Sequence, residues 1–390
     1  MSGNIDMFVP GVPLSSFSDT PLLPTLVNTL AKLGITKPTD IQSQSMQRLL
    51  DGQSFMGVSE TGSGKTLAYV LPLLHKLKSL ENDGFAVSKP SHPRGLILVP
   101  GRELGDQVSK VLKSLTHETR LRVRTALGGS KKKVSRKNVS GVFEVLVATP
   151  GRLDTLVSKG EVHLSDVRTV VFDEADQMMD PGFLPVAKRL LGFCPPKAQM
   201  VLFSATLPVA LEHVAKELLP GAPKFIRTSG SQQVVDTLTT VNHNIINGRR
   251  SEVLIDILEK EPDVGTILFV NSREQLDSVA VWLEDTSIAF TVYRGQMERF
   301  ERKANLKLFR SGGVSVLLTT DLGGRGLDIE RVERVINIYL PYDIDNYLHR
   351  VGRTARAGRE GLVVNLVTQR DQPLMAKLKK REKRRNRSGR

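Results

Sequence analysis

The chain has 390 residues, 40% hydrophobic and 25% charged, which excludes a peptide, a single small module or a disulfide-stapled scaffold and fits two or three globular domains. Lys and Arg number 55 against 41 Asp and Glu, a net charge of +14, so the partner to expect is a polyanion, most simply nucleic acid. The single cysteine, Cys194, excludes an internal disulfide and a cysteine-rich metal site.

No apolar run reaches the roughly 18 to 20 residues of a membrane span. The first ten residues, MSGNIDMFVP, lack a basic-then-apolar signal pattern. A cytoplasmic protein without a membrane partner is expected.

Read in chain order, short β-branched runs recur, each followed by a turn signal and a helical pattern. The first half has FMGVS (55–59), LILVP (96–100), VLVAT (145–149), TVVFDEA (169–175) and MVLFSAT (200–206). A polar stretch over 229–238 reads as a linker. The second half resumes with TILFV (266–270), FTVYR (290–294), VSVLLTT (314–320), RVINIYL (334–340) and LVVNLV (362–367). Continuous apolar strands alternating with helices mean parallel sheets covered on both faces. The fold class is therefore α/β, with one domain over 1–228 and a second over 239–370. The polar motifs fall at the carboxyl ends of the strands, where open sheets bind ligands.

Charge is concentrated at the end. Residues 377–390, KLKKREKRRNRSGR, carry nine Lys and Arg against one Glu, a net +8 that leaves +6 for the rest. With so little apolar content, the tail over 371–390 is expected to be disordered and to touch nucleic acid, or merely to be a solvated, solubilising segment. A second cluster, Lys131, Lys132, Lys133, Arg136 and Lys137, falls in a loop-like stretch. Aromatic residues are only 5%, too few for a surface that stacks bases, so any grip should be on the backbone.

The sharpest motif is Ser59-Glu60-Thr61-Gly62-Ser63-Gly64-Lys65-Thr66, after a strand and opening a helix. Its glycines let backbone N–H groups curl around phosphate oxygens, helped by the helix dipole. Lys65 is placed for the β- and γ-phosphates and the Thr66 hydroxyl for Mg²⁺. Ser59 stands where Gly or Ala is usual. Asp173-Glu174-Ala175-Asp176 closes a later strand; Asp173 suits Mg²⁺ and Glu174 the attacking water. Upstream, the Gln42 amide matches the N6/N7 edge of adenine, and Phe17 is either a stacking ring or a core residue. The second half has no phosphate loop, but it carries HRVGRTARAGR (349–359), whose arginines suit fingers for a nucleotide held elsewhere.

These motifs stand in the order found in DEAD-box ATP-dependent RNA helicases, which the chain resembles over about residues 15–370. The series runs from Phe17 and Gln42 through SETGSGKT, PGREL (100–104), Gly128-Gly129, TPGR (149–152), DEAD (173–176) and SAT (204–206). It continues through ILFVNSR (267–273), YRGQMERFER (293–302), TTDLGGRGLD (319–328) and HRVGRTARAGR. The resemblance implies two RecA-like domains that close around ATP and single-stranded RNA. It implies that Arg353 and Arg356 meet the γ-phosphate, that His349 links the water site to closure, and that Gly326 and Asp328 touch the nucleotide. Ser204, Ala205 and Thr206 look like the coupling element. Arg102, Gly129, Thr149, Gly151 and Arg152 would meet the RNA backbone from the first domain, and Ser272, Arg302 and Thr320 from the second.

Five positions depart from the family pattern: Gly101 for Thr, Gly105 for Ala, Arg294 for His, Arg299 for Gln and Ala355 for Gly. None removes a catalytic group. The expected activity is ATP-driven separation of short RNA duplexes or remodelling of RNA–protein complexes by a monomer. Its rivals are an ATP-gated RNA clamp with little unwinding, and a duplex-DNA translocase. Ribosome-assembly or RNA-decay proteins are the partners the resemblance implies.

Overall fold

A computed structural model describes residues 15–388 except 61, 130–131, 180–182, 220–223, 229–237, 247, 295–296, 322–328, 330 and 356–359. At 132–134, 179, 209, 299 and 381–388 it describes the backbone course alone. The chain divides into two compact units, Met1–Gln232 and Gln233–Arg390.

The first unit holds a seven-stranded sheet in the order β3-β4-β2-β5-β6-β1-β7. Its strands are β1 (Phe55–Val58), β2 (Gly95–Leu98), β3 (Val123–Ala126), β4 (Val145–Ala148), β5 (Thr169–Phe172), β6 (Gln199–Ser204) and β7 (Phe225–Arg227). Every pairing is parallel. Side chains alternate between two cores: Ile97 and Val171 enter one, Leu96, Leu98, Val170 and Phe172 the other. Helices α1 (Pro24–Lys32), α2 (Asp40–Leu50), α3 (Lys65–Asn82), α4 (Arg102–Thr119), α5 (Lys132–Val139), α6 (Pro150–Val157), α7 (Leu184–Leu191) and α8 (Val209–Leu218) complete it. The basic cluster at 131–137, expected as loop, therefore lies largely in a helix, α5. Its residues are long-chained helix formers that tolerate a solvated face.

The second unit holds a six-stranded parallel sheet ordered β10-β11-β9-β12-β13-β8. These strands are β8 (Leu238–Asn244), β9 (Thr266–Val270), β10 (Phe290–Tyr293), β11 (Val316–Thr320), β12 (Arg334–Asn337) and β13 (Gly361–Val367). Helices α9 (Arg250–Lys260), α10 (Arg273–Glu284), α11 (Arg299–Arg310), α12 (Ile344–Val351) and α13 (Gln372–Ser388) accompany them. Two helix-covered parallel sheets are the expected tandem RecA-like architecture. Of the expected linker, 229–237 lies outside the described residues and Leu238 already belongs to β8.

The tail departs from expectation. Its described part, up to Ser388, is the helix α13 rather than disordered chain. Thr368 and Asp371 form a capping box, with Asp371 Oδ2 accepting from the Thr368 N–H at 2.7 Å and Oγ1 at 2.6 Å. Leu374 is buried beside Leu340 and Val367, and Met375 and Leu378 pack against the same patch. Leu378 also meets the core around Tyr347 and Val351 of α12. A charge average over the tail hides this short stripe at helical spacing. Among the described residues, no helix is long and apolar enough to cross a membrane.

Candidate functional site

The phosphate loop joins β1 to α3. Gly62 and Gly64 take φ of +83° and +89°, conformations that cost a side chain about 1–2 kcal/mol. At Gly64 a Cβ would also lie 2.3 Å from Gln42 Nε2. Gln42, 2% exposed, accepts from the Thr39 N–H at 2.9 Å and donates to Gly64 O at 3.0 Å. One amide thus caps α2 and ties it to the loop. Lys65 Nζ donates to Ser59 O at 2.7 Å and to Glu60 O at 2.5 Å. Burial lowers the Lys65 pKa, opposed by the charges of Asp173, Glu174, Asp176 and Glu60. Ser59 is 1% exposed and accepts from Thr228 Oγ1 at 2.8 Å, so its small side chain fits as expected. Thr61 lies outside the described residues.

The carboxylates follow β5, two strands from β1 in the sheet. Asp173 is 3% exposed; Oδ2 accepts from the Tyr69 hydroxyl at 2.7 Å and Oδ1 from the Glu174 N–H at 3.0 Å. Burial, then the neighbouring Glu174, pushes its pKa up to about 6. Glu174 sits at φ +54°, a left-handed conformation of the kind held at functional sites, and accepts from Gln177 Nε2 at 2.5 Å. Asp176 Oδ2 accepts from the Thr206 N–H at 3.0 Å and Oγ1 at 2.7 Å. Ser204 O accepts from the Ser59 N–H at 3.0 Å. Loop, acid strand and the 204–206 strand end are therefore directly linked.

Phe17 is 2% exposed and belongs to the core with Leu22 and Leu26, so its ring is packing rather than an open stacking platform. Tyr69 is a site residue that the motifs do not disclose. Its signal is its place on α3 four residues after Lys65, which puts both on one helix face.

The expected RNA contacts of this unit gather at the carboxyl ends of β2, β3 and β4. Arg102 Nη1 donates to Gly128 O at 2.9 Å, and Thr149 Oγ1 accepts from the Gly128 N–H at 3.0 Å. Gly129 turns at φ +71°, and Gly151 and Arg152 lie in the first turn of α6. Arg102, only 9% exposed, braces this turn. Two departures gain a physical reading. At Gly105 a Cβ would come 2.4 Å from Leu127 Cδ2, so the usual Ala would require the Leu127 side chain to shift. At Gly101, the N-cap of α4, the nearest group would be Glu103 Oε2 at 3.8 Å, so a side chain has room.

In the second unit Ser272 caps α10, its Oγ accepting from the Gln275 N–H at 3.2 Å. Arg302 lies 5.9 Å over the Tyr293 ring, and Thr320 ends β11. His349 is 8% exposed and its carbonyl accepts from Arg353 Nε at 3.1 Å. Arg294 pairs with Asp277 at 2.9 Å. Ala355 is held at φ +54°, the reason a glycine is usual there. Gly326, Asp328 and Arg356 lie outside the described residues.

The Tyr69 hydroxyl hydrogen-bonds both Asp173 and Thr66, and the oxygens these two side chains offer suit a hard divalent cation. In the phosphate loop itself Ser63 Oγ is buried without a partner among the described residues, as expected where a polar ligand completes the bonding.

Known proteins agree with this arrangement. Residues 39–214 match the DEAD/DEAH box helicase family and 249–358 the helicase conserved C-terminal domain. The DEAD-box ATP-dependent RNA helicase RhpA of Helicobacter pylori is 31% identical over 355 residues, covering 90% of this chain and 70% of that protein. The mouse (Mus musculus) ATP-dependent RNA helicase DDX4 is 36% identical over 362 residues, and the chain spans half its length. Dbp5 of S. cerevisiae, solved bound to RNA and ADP BeF3, superposes with a TM-score of 0.84 at 27% identity, over 94% of this chain and 93% of that one. The chain belongs to the DEAD-box family of ATP-dependent RNA helicases.

Proposed function

We propose that the chain hydrolyses ATP in its first unit and uses the cycle to separate short RNA duplexes or strip RNA–protein complexes, gripping RNA by its backbone. The observation that carries this is the linked set of Gln42, Lys65, Asp173, Glu174 and Thr206 around one loop. Gln42 selects adenine, and Phe17 lies in the core of the same unit. The loop 59–66 cradles the phosphates, and Lys65 supplies their countercharge. Thr66 and Asp173 are the residues that would hold Mg²⁺, and the ion would supply charge neutralisation at the phosphates. Glu174 orients water and takes its proton. By the family's motifs, Arg353 and Arg356 are assigned to the γ-phosphate, Gly326 and Asp328 to the nucleotide and His349 to closure. Ser204, Ala205 and Thr206 transmit the state of the acid strand.

RNA meets Arg102, Gly129, Thr149, Gly151 and Arg152 from residues 1–228, and Ser272, Arg302 and Thr320 from 239–370. The RNA bound to Dbp5 supports this assignment. These amides, hydroxyls and guanidiniums suit phosphate and 2′-OH groups, so recognition is nearly independent of sequence. We place the protein in the cytoplasm, as a monomer, among ribosome-assembly or RNA-decay factors.

Strand displacement on a short RNA duplex tests the reading. ATP should release strands in many turnovers and a non-hydrolysable analogue in one at most. Tight ATP-dependent RNA binding without displacement would make the protein a clamp, and displacement of DNA as fast as RNA would make it a duplex-DNA translocase.

A further inference from the structure

Arg350 lies on α12 between His349 and Arg353, yet it is 1% exposed and every one of its donors is engaged inside the protein. Nε donates to Asp321 Oδ1 at 2.5 Å and Nη2 to Asp321 Oδ2 at 2.8 Å. Nη2 also donates to Asn271 Oδ1 at 2.6 Å. Nη1 donates to Asn337 Oδ1 at 3.2 Å and to Tyr339 O at 2.6 Å. A guanidinium has five N–H groups in a planar fork, so none is left for a phosphate. The Phe269 ring lies 5.2 Å from the guanidinium carbon.

Its partners are chain neighbours of the residues assigned to RNA. Asn271 precedes Ser272 at the end of β9, and Asp321 follows Thr320 at the end of β11. Behind Arg350 runs a ladder of amides across three strands. Asn337 Nδ2 donates to Asn365 Oδ1 at 2.8 Å, and Asn365 Nδ2 donates to Asn242 Oδ1 at 2.8 Å and the Tyr347 hydroxyl at 3.1 Å. Tyr347 lies on α12 one turn before Arg350, so the ladder holds that helix twice. Asn337 and Asn365 are fully buried, and buried amides are costly unless paired as these are.

We infer that Arg350 is a positioning residue that clamps the RNA-facing ends of β9 and β11 to the helix carrying His349, so that the RNA contacts and the nucleotide arginine Arg353 shift together. This rests on the functional reading above and separates Arg350 from the finger arginines in the same motif. Arg350→Lys keeps the charge but offers three donors on a compact head, which cannot span Asp321, Asn271 and Asn337 at once. Asn271→Ala removes one acceptor only.

The test measures ATP hydrolysis against RNA concentration for the native chain, Arg350→Lys, Asn271→Ala and Arg353→Lys, with RNA Kd by fluorescence anisotropy and a thermal melt of each. Arg350→Lys should raise RNA Kd and RNA KM about tenfold, and Asn271→Ala about threefold, because displaced contacts bind poorly. ATP affinity without RNA should stay native in both, while Arg353→Lys should lower kcat at native RNA affinity. Should Arg350→Lys fail to melt cooperatively, Asn271→Ala decides. A loss confined to kcat in Arg350→Lys would make it a finger, and native RNA affinity in both variants with a lower Tm would make it mere packing. Either overturns the inference. Native hydrolysis indifferent to RNA would instead overturn the functional reading, and the clamp with it.

Discussion

In the first unit, Ser63 Oγ and Ser204 Oγ are buried without partners among the described residues, and Glu174 is held left-handed at φ +54°. In the second, Arg350 has an acceptor for each N–H, and Asn337 and Asn365 are paired. Incomplete bonding and left-handed backbone belong to a site that a ligand completes. A saturated cluster does the opposite and holds the protein's own loops in place. The contrast holds between these two clusters: the phosphate-loop site is built to be completed by a ligand, and the Arg350 cluster to hold loops in place.

The largest effects should come from the first unit. Glu174→Gln should lower kcat for ATP by about 10²–10⁴-fold while leaving nucleotide binding intact, since an amide cannot take a proton. Lys65→Ala should instead weaken nucleotide binding, because it removes the countercharge in the loop. Equilibrium binding of a fluorescent ATP analogue beside steady-state hydrolysis separates the two. If Glu174→Gln hydrolyses at the native rate, the chemistry does not rest on this carboxylate.

Base selectivity is next in size. Gln42 offers one donor and one acceptor to adenine, a pairing that discriminates by about 1–3 kcal/mol. Native protein should use ATP far better than GTP, and Gln42→Ala should lose most of its ATP use. Because Gln42 also bonds Gly64 O, part of that loss should appear as weaker phosphate binding, measurable with ADP. Equal rates with all four nucleotides would remove the adenine reading.

A smaller effect is expected at the end of the chain. Residues 381–390 hold six Lys and Arg against one Glu, beyond the apolar anchor of α13. Every phosphate of single-stranded RNA that a basic side chain neutralises should add about 0.7 to the slope of log affinity against log salt. Deleting 381–390 should therefore lower the slope by about 2–3 if three or four residues engage, with kcat at saturating RNA unchanged. Deleting from 372 should also disturb α12, against which Leu378 packs, and lower kcat. Equal kcat for the two truncations would show that the anchor is dispensable.

Smallest is Ala355→Gly. At φ +54° the Ala355 side chain is strained by about 1 kcal/mol, so glycine should stabilise the second unit by up to that amount, read as a rise of a few degrees in Tm. An unchanged or lower Tm would mean that the strain is offset elsewhere.

The nucleotide motifs are legible in the sequence because phosphate chemistry fixes residue type and spacing within a few positions, as in Gly62 to Thr66. The interior strands are legible because they are continuous apolar runs. The three strands that escape such a reading, β3, β7 and β8, lie at sheet edges, where one side is solvated and the apolar signal fades; β8 reads LTTVNHN. Tyr69 and Arg350 escape it because their partners, Asp173 and Asp321 with Asn271, are distant in sequence and meet only in the folded sheet. The helix α13 escapes it because Leu374, Met375 and Leu378 are outnumbered by charge.

The central claim is that ATP held by the first unit governs the grip on RNA. The Kd of single-stranded RNA for Glu174→Gln, with and without ATP, tests it most directly. ATP should tighten binding at least about tenfold, because hydrolysis no longer releases the closed state. RNA affinity indifferent to ATP in that variant would contradict the claim.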